Sequence, residues 1–452
     1  MSAPVTVALT TLGCRLNQVE SQEMGALLEG RGFRVVPAGS RAQVHVVNTC
    51  TVTGRADFSD RQAIRRITRE DPGAFLVVTG CFAQTDPDSV AALPGVDLVV
   101  GNQEKYRLPD LLDSLVKRPR PAVAVADIRE ARAMPIAPLS PVDSMNGSLS
   151  ARTSGRSRAF VKVQDGCQHR CAFCIVPAAR GGSRSQEPKV VLDQVRALAE
   201  TGHPDVTLTG VDIGHYGWDL YPRTALAALV RSLAGVEGLR WLRLSSVLPS
   251  YFTADLIDAV TTLPMVAPHL HLPLQSGSDR VLRLMRRPYH TGMYRDLVHR
   301  LAAAIPGLGL GADVIVGHPG ETDEDFEATL ALVAALPFSY LHVFAYSDRK
   351  GTEAARRPGH VPAAVIRERS QRLRRLGREK SHAFRRALVG RARQVLVLDA
   401  LDRRTGLLAG LTSNYVEVLF PGPASLGRRM ATVEITEVRG DRTHGRLVEA
   451  GA

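Results

Sequence analysis

The chain of 452 residues contains no apolar run approaching the roughly 18 residues of a membrane-spanning helix, which excludes a helical membrane protein. It opens Met-Ser-Ala-Pro and enters a strand-like segment without the basic-then-apolar pattern of a leader, so a cytoplasmic location is expected. Cysteine is scarce. Six thiols are too few for a disulfide scaffold in so long a chain, and in a reducing compartment they read as metal ligands or catalytic groups. The values of 44% hydrophobic and 23% charged residues are ordinary for a globular protein and exclude disorder as the main state, and the length allows two or three domains with buried cores.

The cysteines fall into two triplets, at positions 14, 50 and 81 and at positions 167, 171 and 174. The net charge of +12 is uneven as well. Between Pro362 and Arg393 stand eleven basic residues against Glu368 and Glu379, so nine of the twelve net positive charges lie there. Such a block points to a polyanionic partner, most simply a nucleic acid, although a solvated helix face has the same appearance.

From Val5 to about Val125, short apolar runs alternate with helical stretches such as Val19 to Leu28. Strands are predicted at Val5–Thr11, Val44–Val47, Phe75–Thr79 and Asp97–Val100, a pattern that implies a parallel sheet covered by helices. Three of the strands lead directly into a cysteine: Thr-Leu-Gly-Cys14, Val-Asn-Thr-Cys50 and Val-Thr-Gly-Cys81. Ligands of open α/β sheets sit at the carboxyl ends of strands, so the three thiols can converge although 36 and 31 positions separate them. Three unrelated buried thiols are the plainer alternative.

Residues 128–155 are rich in Pro, Ser, Gly and Ala and read as a linker between domains at 1–127 and 156–388. The second domain has strands predicted at Ala159–Gln164, Asp205–Thr209, Leu239–Leu244, Leu270–Leu274, Gly311–Val316 and Ser339–Phe344, separated by helix-length segments. Six repeats fall short of eight, so a partial (β/α)6 barrel is expected, with active residues just after its strands. In residues 389–452 the strands predicted at Val395–Asp399, Tyr415–Phe420, Arg429–Val438 and Arg446–Glu449 fit a small β-barrel of oligonucleotide-binding type, with a β-sandwich left open. The fold class is therefore multidomain α/β with a small β-barrel at the end.

The strongest local signal is Asp165-Gly166-Cys167-Gln168-His169-Arg170-Cys171-Ala172-Phe173-Cys174, three thiols in one loop after the first barrel strand. No fourth cysteine or paired histidine lies nearby to close a tetrahedral zinc site. His169 admits a Cys3His zinc knuckle, but structural zinc sites pair ligands from two separated turns. Three thiolates on a cubane of four irons leave one iron open to bind something else.

The spacing Cys167-x3-Cys171-x2-Cys174 resembles that of the radical S-adenosylmethionine enzymes. In them the open iron chelates the cofactor's amino and carboxylate groups, and an electron from the cluster cleaves the sulfonium to a 5′-deoxyadenosyl radical. Gly13-Cys14-Arg15-Leu16-Asn17-Gln18, Asn48-Thr49-Cys50-Thr51-Val52-Thr53 and Thr79-Gly80-Cys81-Phe82-Ala83-Gln84 are similar to the N-terminal motifs of the methylthiotransferases, members of that superfamily with a second 4Fe-4S cluster. The C-terminal β module resembles their TRAM RNA-binding domain. Val163–Cys167, Gly210–Gly217, His269–Ser278 and Leu341–Ala355 look like the bacterial branch acting on threonylcarbamoyladenosine in tRNA. A sister branch modifies an aspartate of a ribosomal protein and tends to carry an acidic residue where this chain has Arg349.

The resemblance implies that Cys167, Cys171 and Cys174 are catalytic and hold the cluster that cleaves S-adenosylmethionine, while Cys14, Cys50 and Cys81 hold the sulfur-carrying cluster. It implies also that Gly210, Asp212, Ser245, Ser246, Gln275 and Gly317 line the cofactor, with helix capping and tight turns as plainer roles for the serines and glycines. The implied reaction replaces the C–H bond at carbon 2 of the modified adenosine at position 37 by a methylthio group. The partners implied are the tRNA anticodon stem-loop and a flavodoxin- or ferredoxin-type electron donor. His318 departs from the family's usual Phe, and a lone histidine at that turn reads as a packing or hydrogen-bonding group. Two other readings are carried: the ribosomal-protein aspartate methylthiotransferase, and a redox-sensing iron–sulfur RNA-binding protein without transferase activity.

Overall fold

A computed structural model describes residues 3–134 and 157–450. Most of the expected linker, including Pro135, Pro138, Pro141, Gly147 and Gly155, lies outside the described residues. Its first residues are not loose: Ile128–Glu130 form a 3-10 turn, Ile128 is buried, and its carbonyl leaves no room for a Cβ at Gly181.

The N-terminal sheet consists of β1 (Thr6–Thr11), β2 (Arg34–Val36), β3 (Val44–Thr49), β4 (Phe75–Gly80), β5 (Leu98–Val100) and β6 (Ala122–Ala124), all parallel in the order β2-β1-β3-β4-β5-β6. β3 and β4 are buried along their whole length, which is why they read as near-continuous apolar runs. Alternate residues serve opposite faces. Val44, Val46 and Val77 join Met24 and Leu28 on one side, whereas Val47 and Val78 meet Ile64 and Ile67 on the other. The edge strands β2 and β6 have three residues each, too short for a recognisable alternation in the sequence.

The second domain opens with β7 (Ala159–Lys162), followed by the small antiparallel pair β8 (Gln164–Asp165) and β9 (Arg184–Ser185). Five further strands are β10 (Asp205–Thr209), β11 (Trp241–Leu244), β12 (His269–His271), β13 (Gly309–Val316) and β14 (Tyr340–Ala345). β7, β10 and β11 form one parallel group and β12, β13 and β14 another; a bridge between Leu242 and Val266 and the bond from Val247 N–H to the His271 carbonyl at 3.1 Å join them. The result is a six-stranded open arc over one apolar core.

The 24-residue helix Ala363–Arg386 then leads into β15 (Ala392–Val397), β16 (Leu408–Thr412), β17 (Glu417–Phe420), β18 (Met430–Arg439) and β19 (Arg442–Ala450), a closed barrel in the order β15-β16-β17-β19-β18. Closure rules out the sandwich. β16, Leu-Ala-Gly-Leu-Thr, is absent from the sequence expectation because Gly410 interrupts its apolar pattern; a Cβ there would stand 2.6 Å from Val395 Cγ2. The turn between β16 and β17 enters the arc. Tyr415, at φ 71°, stacks on His269 with centroids 4.2 Å apart, while Arg243 reaches from Asp205 to the carbonyls of Thr412 and Ser413.

A buried charge network holds the first two domains in register. Glu20, from the helix Arg15–Glu29, lies 2.6 Å from Lys105, 2.9 Å from Lys162 and 2.8 Å from Arg180, all four residues being buried. Asp165 adds contacts to Lys162 at 2.7 Å and Arg180 at 3.0 Å. Burial alone would push the Glu20 carboxyl up, but the surrounding cations hold it well below the ordinary range. Among the described residues no helix is long and apolar enough to cross a membrane.

Removing one partner from such a cluster leaves the others as uncompensated buried charge. Glu20→Gln is expected to lower the unfolding free energy by about 3–5 kcal/mol, whereas Arg446→Ala, in an exposed pair with Glu434, changes it by less than about 1 kcal/mol. Denaturant titration of the two variants beside the parent chain checks both.

Candidate functional site

Both cysteine triplets converge. Cys14 caps the helix Arg15–Glu29, Cys50 follows β3 and Cys81 follows β4, so the parallel sheet presents all three at the same strand ends. Glycine precedes two of them because the backbones crowd there. A Cβ on Gly13 (φ 95°) would lie 3.0 Å from Cys50 Sγ, and one on Gly80 (φ 97°) would lie 2.5 Å from the Thr49 nitrogen. Asn17 ties the loops together: its amide donates to the carbonyls of Leu12 and Thr49 at 2.8 Å, and its oxygen accepts from Arg180 at 2.8 Å. Burial, then the neighbouring Cys81 and Cys14 sulfurs, push the Cys50 thiol up to about 12.

The second triplet sits where β8 turns away from the arc. Gly166 (φ 71°) admits the Gly182 carbonyl, which a Cβ would meet at 1.9 Å. Gln164, buried beneath the loop, donates to the carbonyls of Asp165 and Gly166, and its oxygen accepts the Val211 and Asp212 amides. One side chain therefore sets the cysteine loop against the next strand end. Cys171 Sγ accepts from Arg287 Nη1 at 3.1 Å, and Cys174 closes a turn back to Cys171. Burial and the Cys171 sulfur push the Cys174 thiol up to about 11. His169 is engaged elsewhere: its Nε2 lies 3.0 Å from Tyr251 Oη, which donates to Asp212 at 3.1 Å.

Three thiols are the donor set of an iron–sulfur core with one iron left open, and each triplet supplies three. Buried thiols with raised pKa values ionise only beside strong positive charge, which iron provides.

The expected cofactor residues separate into two kinds. Ser245 Oγ and Gln275 Oε1 are buried without a hydrogen-bond partner, and Gln275 holds a left-handed backbone, φ 63°. Asp212 is buried and lies 3.8 Å from Cys167 Sγ. Ser246 is exposed. Neither serine caps the helix Ala254–Thr262, since Thr253 does. At Gly210 and Gly317 the missing Cβ serves the chain's own packing, because Gln164 O and Ile366 occupy the space. His318 is buried, edge-on to Phe173 and Tyr346, with Nδ1 3.0 Å from the Pro319 carbonyl.

A cavity of about 190 Å³ joins the two halves: Val52 and Thr53, just beyond Cys50, face Cys174, Gln275, Asp313 and Phe344. Arg349 ties the segment after β14 to the Cys50 loop by donating to the Thr51 carbonyl at 3.1 Å and to Asp57 at 2.7 Å. A groove of about 560 Å³ lies between the basic helix and the C-terminal barrel, lined by Arg374, Arg378, Arg385 and Arg442 with Tyr340 and His342. Not all of the basic block faces outward. Arg369 is buried against Glu321 and Asp323, and Arg372 pairs with Glu327, while Arg367, Arg375, Arg378 and Arg386 are exposed and form no ion pair among the described residues.

Residues 6–101 match the model of the uncharacterized protein family UPF0004, and residues 161–333 match that of the Radical SAM superfamily. The chain is 35% identical to the threonylcarbamoyladenosine tRNA methylthiotransferase MtaB of Bacillus subtilis, over 98% of this chain and 96% of that protein. It is 36% identical to the MtaB of Aquifex aeolicus, over 93% and 98%. A tRNA-2-methylthio-N(6)-dimethylallyladenosine synthase of Parafrankia is 39% identical, over 96% of this chain and 88% of its own length. Among solved structures, the radical S-adenosylmethionine methyltransferase TsrM from Kitasatospora setae, with cobalamin and a 4Fe-4S cluster bound, aligns at TM-score 0.55 and 16% identity over 78% of this chain and 77% of that one, a likeness of fold.

Burial pushes the His318 imidazole down to about 4 from 6.5. The unfolded chain therefore takes up the proton first, and stability is lost as pH falls from 6.5 towards 4. Between pH 7 and pH 5, His318→Phe is expected to lose about 2 kcal/mol less stability than the parent, as read from denaturant midpoints at both pH values.

Proposed function

Because the chain belongs to the methylthiotransferase family of radical S-adenosylmethionine enzymes, we propose that it converts threonylcarbamoyladenosine at position 37 of tRNA to the 2-methylthio form, acting in the cytoplasm. One observation carries the reading. The same cavity is walled by Cys174 of one triplet and by the two residues that follow the Cys50 loop of the other, so a single adenine ring there meets both.

When bound, two 4Fe-4S clusters and S-adenosylmethionine supply one-electron cleavage of a sulfonium and a sulfur that carries the methyl group. Cys167, Cys171 and Cys174 hold the first cluster, and Cys14, Cys50 and Cys81 the second. Ser245, Gln275 and Asp212 offer the polar atoms that orient the cofactor, with Gly210, Ser246 and Gly317 shaping the strand ends around it. Arg287 keeps a positive charge on the Cys171 sulfur. Val52, Phe173, Ile315 and Phe344 give the cavity apolar walls that exclude water from the reacting carbon. Position 37 lies in a single-stranded loop whose bases can be splayed out, and the arginine-lined groove takes the stem-loop phosphates. A flavodoxin- or ferredoxin-type protein supplies the electron.

A second reading, dimethylallyladenosine as the substrate, is favoured by those same apolar walls and by the relatives named for it. Mass spectrometry of tRNA nucleosides from cells with and without the gene separates the two: loss of the methylthio form with accumulation of the threonylcarbamoyl precursor is expected, and accumulation of the dimethylallyl precursor would favour the alternative.

Two further outcomes follow from the division of labour. Cys174→Ala is expected to abolish 5′-deoxyadenosine formation, whereas Cys50→Ala retains it and loses methylthiolation, both read by chromatography of single-turnover mixtures. The double substitution of Arg374 and Arg378 by Ala should lower the slope of log affinity against log salt by between about 1 and 2, measured by anisotropy with a labelled anticodon stem-loop.

A further inference from the structure

Outside both cysteine triplets, three ligating side chains converge on the inner face of the arc. His271 on β12, Asp313 on β13 and His342 on β14 bring one donor atom each to within 4.8 Å of the others. The register explains the meeting. Asp313 pairs with His342 across β13 and β14, and His271 pairs with Gly311, two residues before Asp313 and on the same face. Asp313 Oδ1 lies 3.0 Å from His271 Nε2 and 3.1 Å from His342 Nδ1.

The orientation of His271 is fixed from behind. Its Nδ1 lies 3.1 Å from the Tyr340 hydroxyl, so Nε2 is the atom turned towards Asp313. That Nε2 belongs to a side chain only 8% exposed and faces Asp313 Oδ1 at 3.0 Å, poorly aligned for a hydrogen bond. A cation between the two would satisfy the nitrogen's lone pair and the carboxylate together. Although burial pushes the Asp313 carboxyl up, contacts with the two imidazoles bring it below the ordinary carboxylate range, so it is an anion.

Edges of 3.0 and 3.1 Å match adjacent positions, 90° apart, about an octahedral ion whose bonds are about 2.1 Å long, since 2.1 × √2 is about 3.0 Å, the facial arrangement of two imidazoles and one carboxylate. Two imidazoles and one carboxylate suit first-row divalent ions such as Zn²⁺ or Fe²⁺, whereas Mg²⁺ and Ca²⁺ prefer oxygen throughout. We propose that His271, Asp313 and His342 form a mononuclear site for a first-row divalent cation, distinct from the two iron–sulfur centres. Asp313 lines the cavity beside Cys174 and His342 lines the basic groove, so the site draws ligands from both.

The full-length enzyme, reconstituted anaerobically, is dialysed against micromolar Zn²⁺, and zinc and iron are counted together by plasma mass spectrometry. Expected is about one zinc per chain over an unchanged iron content of about eight, with zinc retention at least about ten-fold weaker in His342→Ala and Asp313→Asn and the visible absorbance of the clusters unaltered. His342 is exposed, so its truncation leaves the fold intact. No zinc above background, equal retention by parent and His342→Ala, or zinc gained only as iron is lost would each overturn the proposal. The outcome does not depend on which adenosine is modified.

Discussion

Everything about the site rests on a carboxylate that water never reaches. Glu20 is buried with Lys105, Lys162 and Arg180 around it, and each partner comes from a different segment of the chain. Counting Asp165 and Arg184, two anions face four cations. Arg180 also faces the Cys81 sulfur, and that thiol, pushed up by burial, is drawn back by this guanidinium. An ionised Cys81 would offset part of the excess positive charge, so the electrostatics of the interface and of the thiol are coupled. A network of this kind contributes little net stability compared with an apolar core of similar volume, but it penalises every misaligned arrangement heavily. Cys174 and the residues just beyond Cys50 line one cavity, and the network fixes how they face each other.

Gln164 and Asn17 do the same work on a shorter range. Each is a buried amide whose donors and acceptors reach two loops at once, Gln164 between Gly166 and Asp212, and Asn17 between Leu12, Thr49 and Arg180. Loss of either would leave buried backbone groups unpaired, a cost concentrated where cysteine positions are set. The glycines beside them, Gly13, Gly80 and Gly166, permit backbone approaches that any Cβ would block.

Much of this was legible beforehand. Apolar runs such as Val44–Val47 mark doubly covered strands, and three of them end in cysteine, so the sheet topology follows from periodicity and the convergence from topology. Some short elements were not legible: β2 and β6 are edge strands of three residues each, and β16 is broken by Gly410. Partners distant in sequence were equally hidden. Arg287 comes to Cys171 across 116 positions, and Arg349 to Thr51 across 298. A weaker signal was available for Asp313, the one acid in the apolar strand Gly309–Val316, and for His269 and His271, which alternate onto one face. Hidden too was the share of the basic block spent on the fold, since Arg369 and Arg372 bind carboxylates of the protein itself.

Tyr415 belongs to the small C-terminal barrel yet stacks beneath the arc on His269, and Gly309 lacks a side chain so that the Asn414 carbonyl can fit beside it. Arg243 completes the joint through the Thr412 and Ser413 carbonyls. Residues 392–450 are thus the floor of the central domain as well as a barrel of their own. An engineer wishing to graft a different terminal barrel onto this scaffold would have to carry the 412–416 loop across with it, or leave a hydrated hole under the arc.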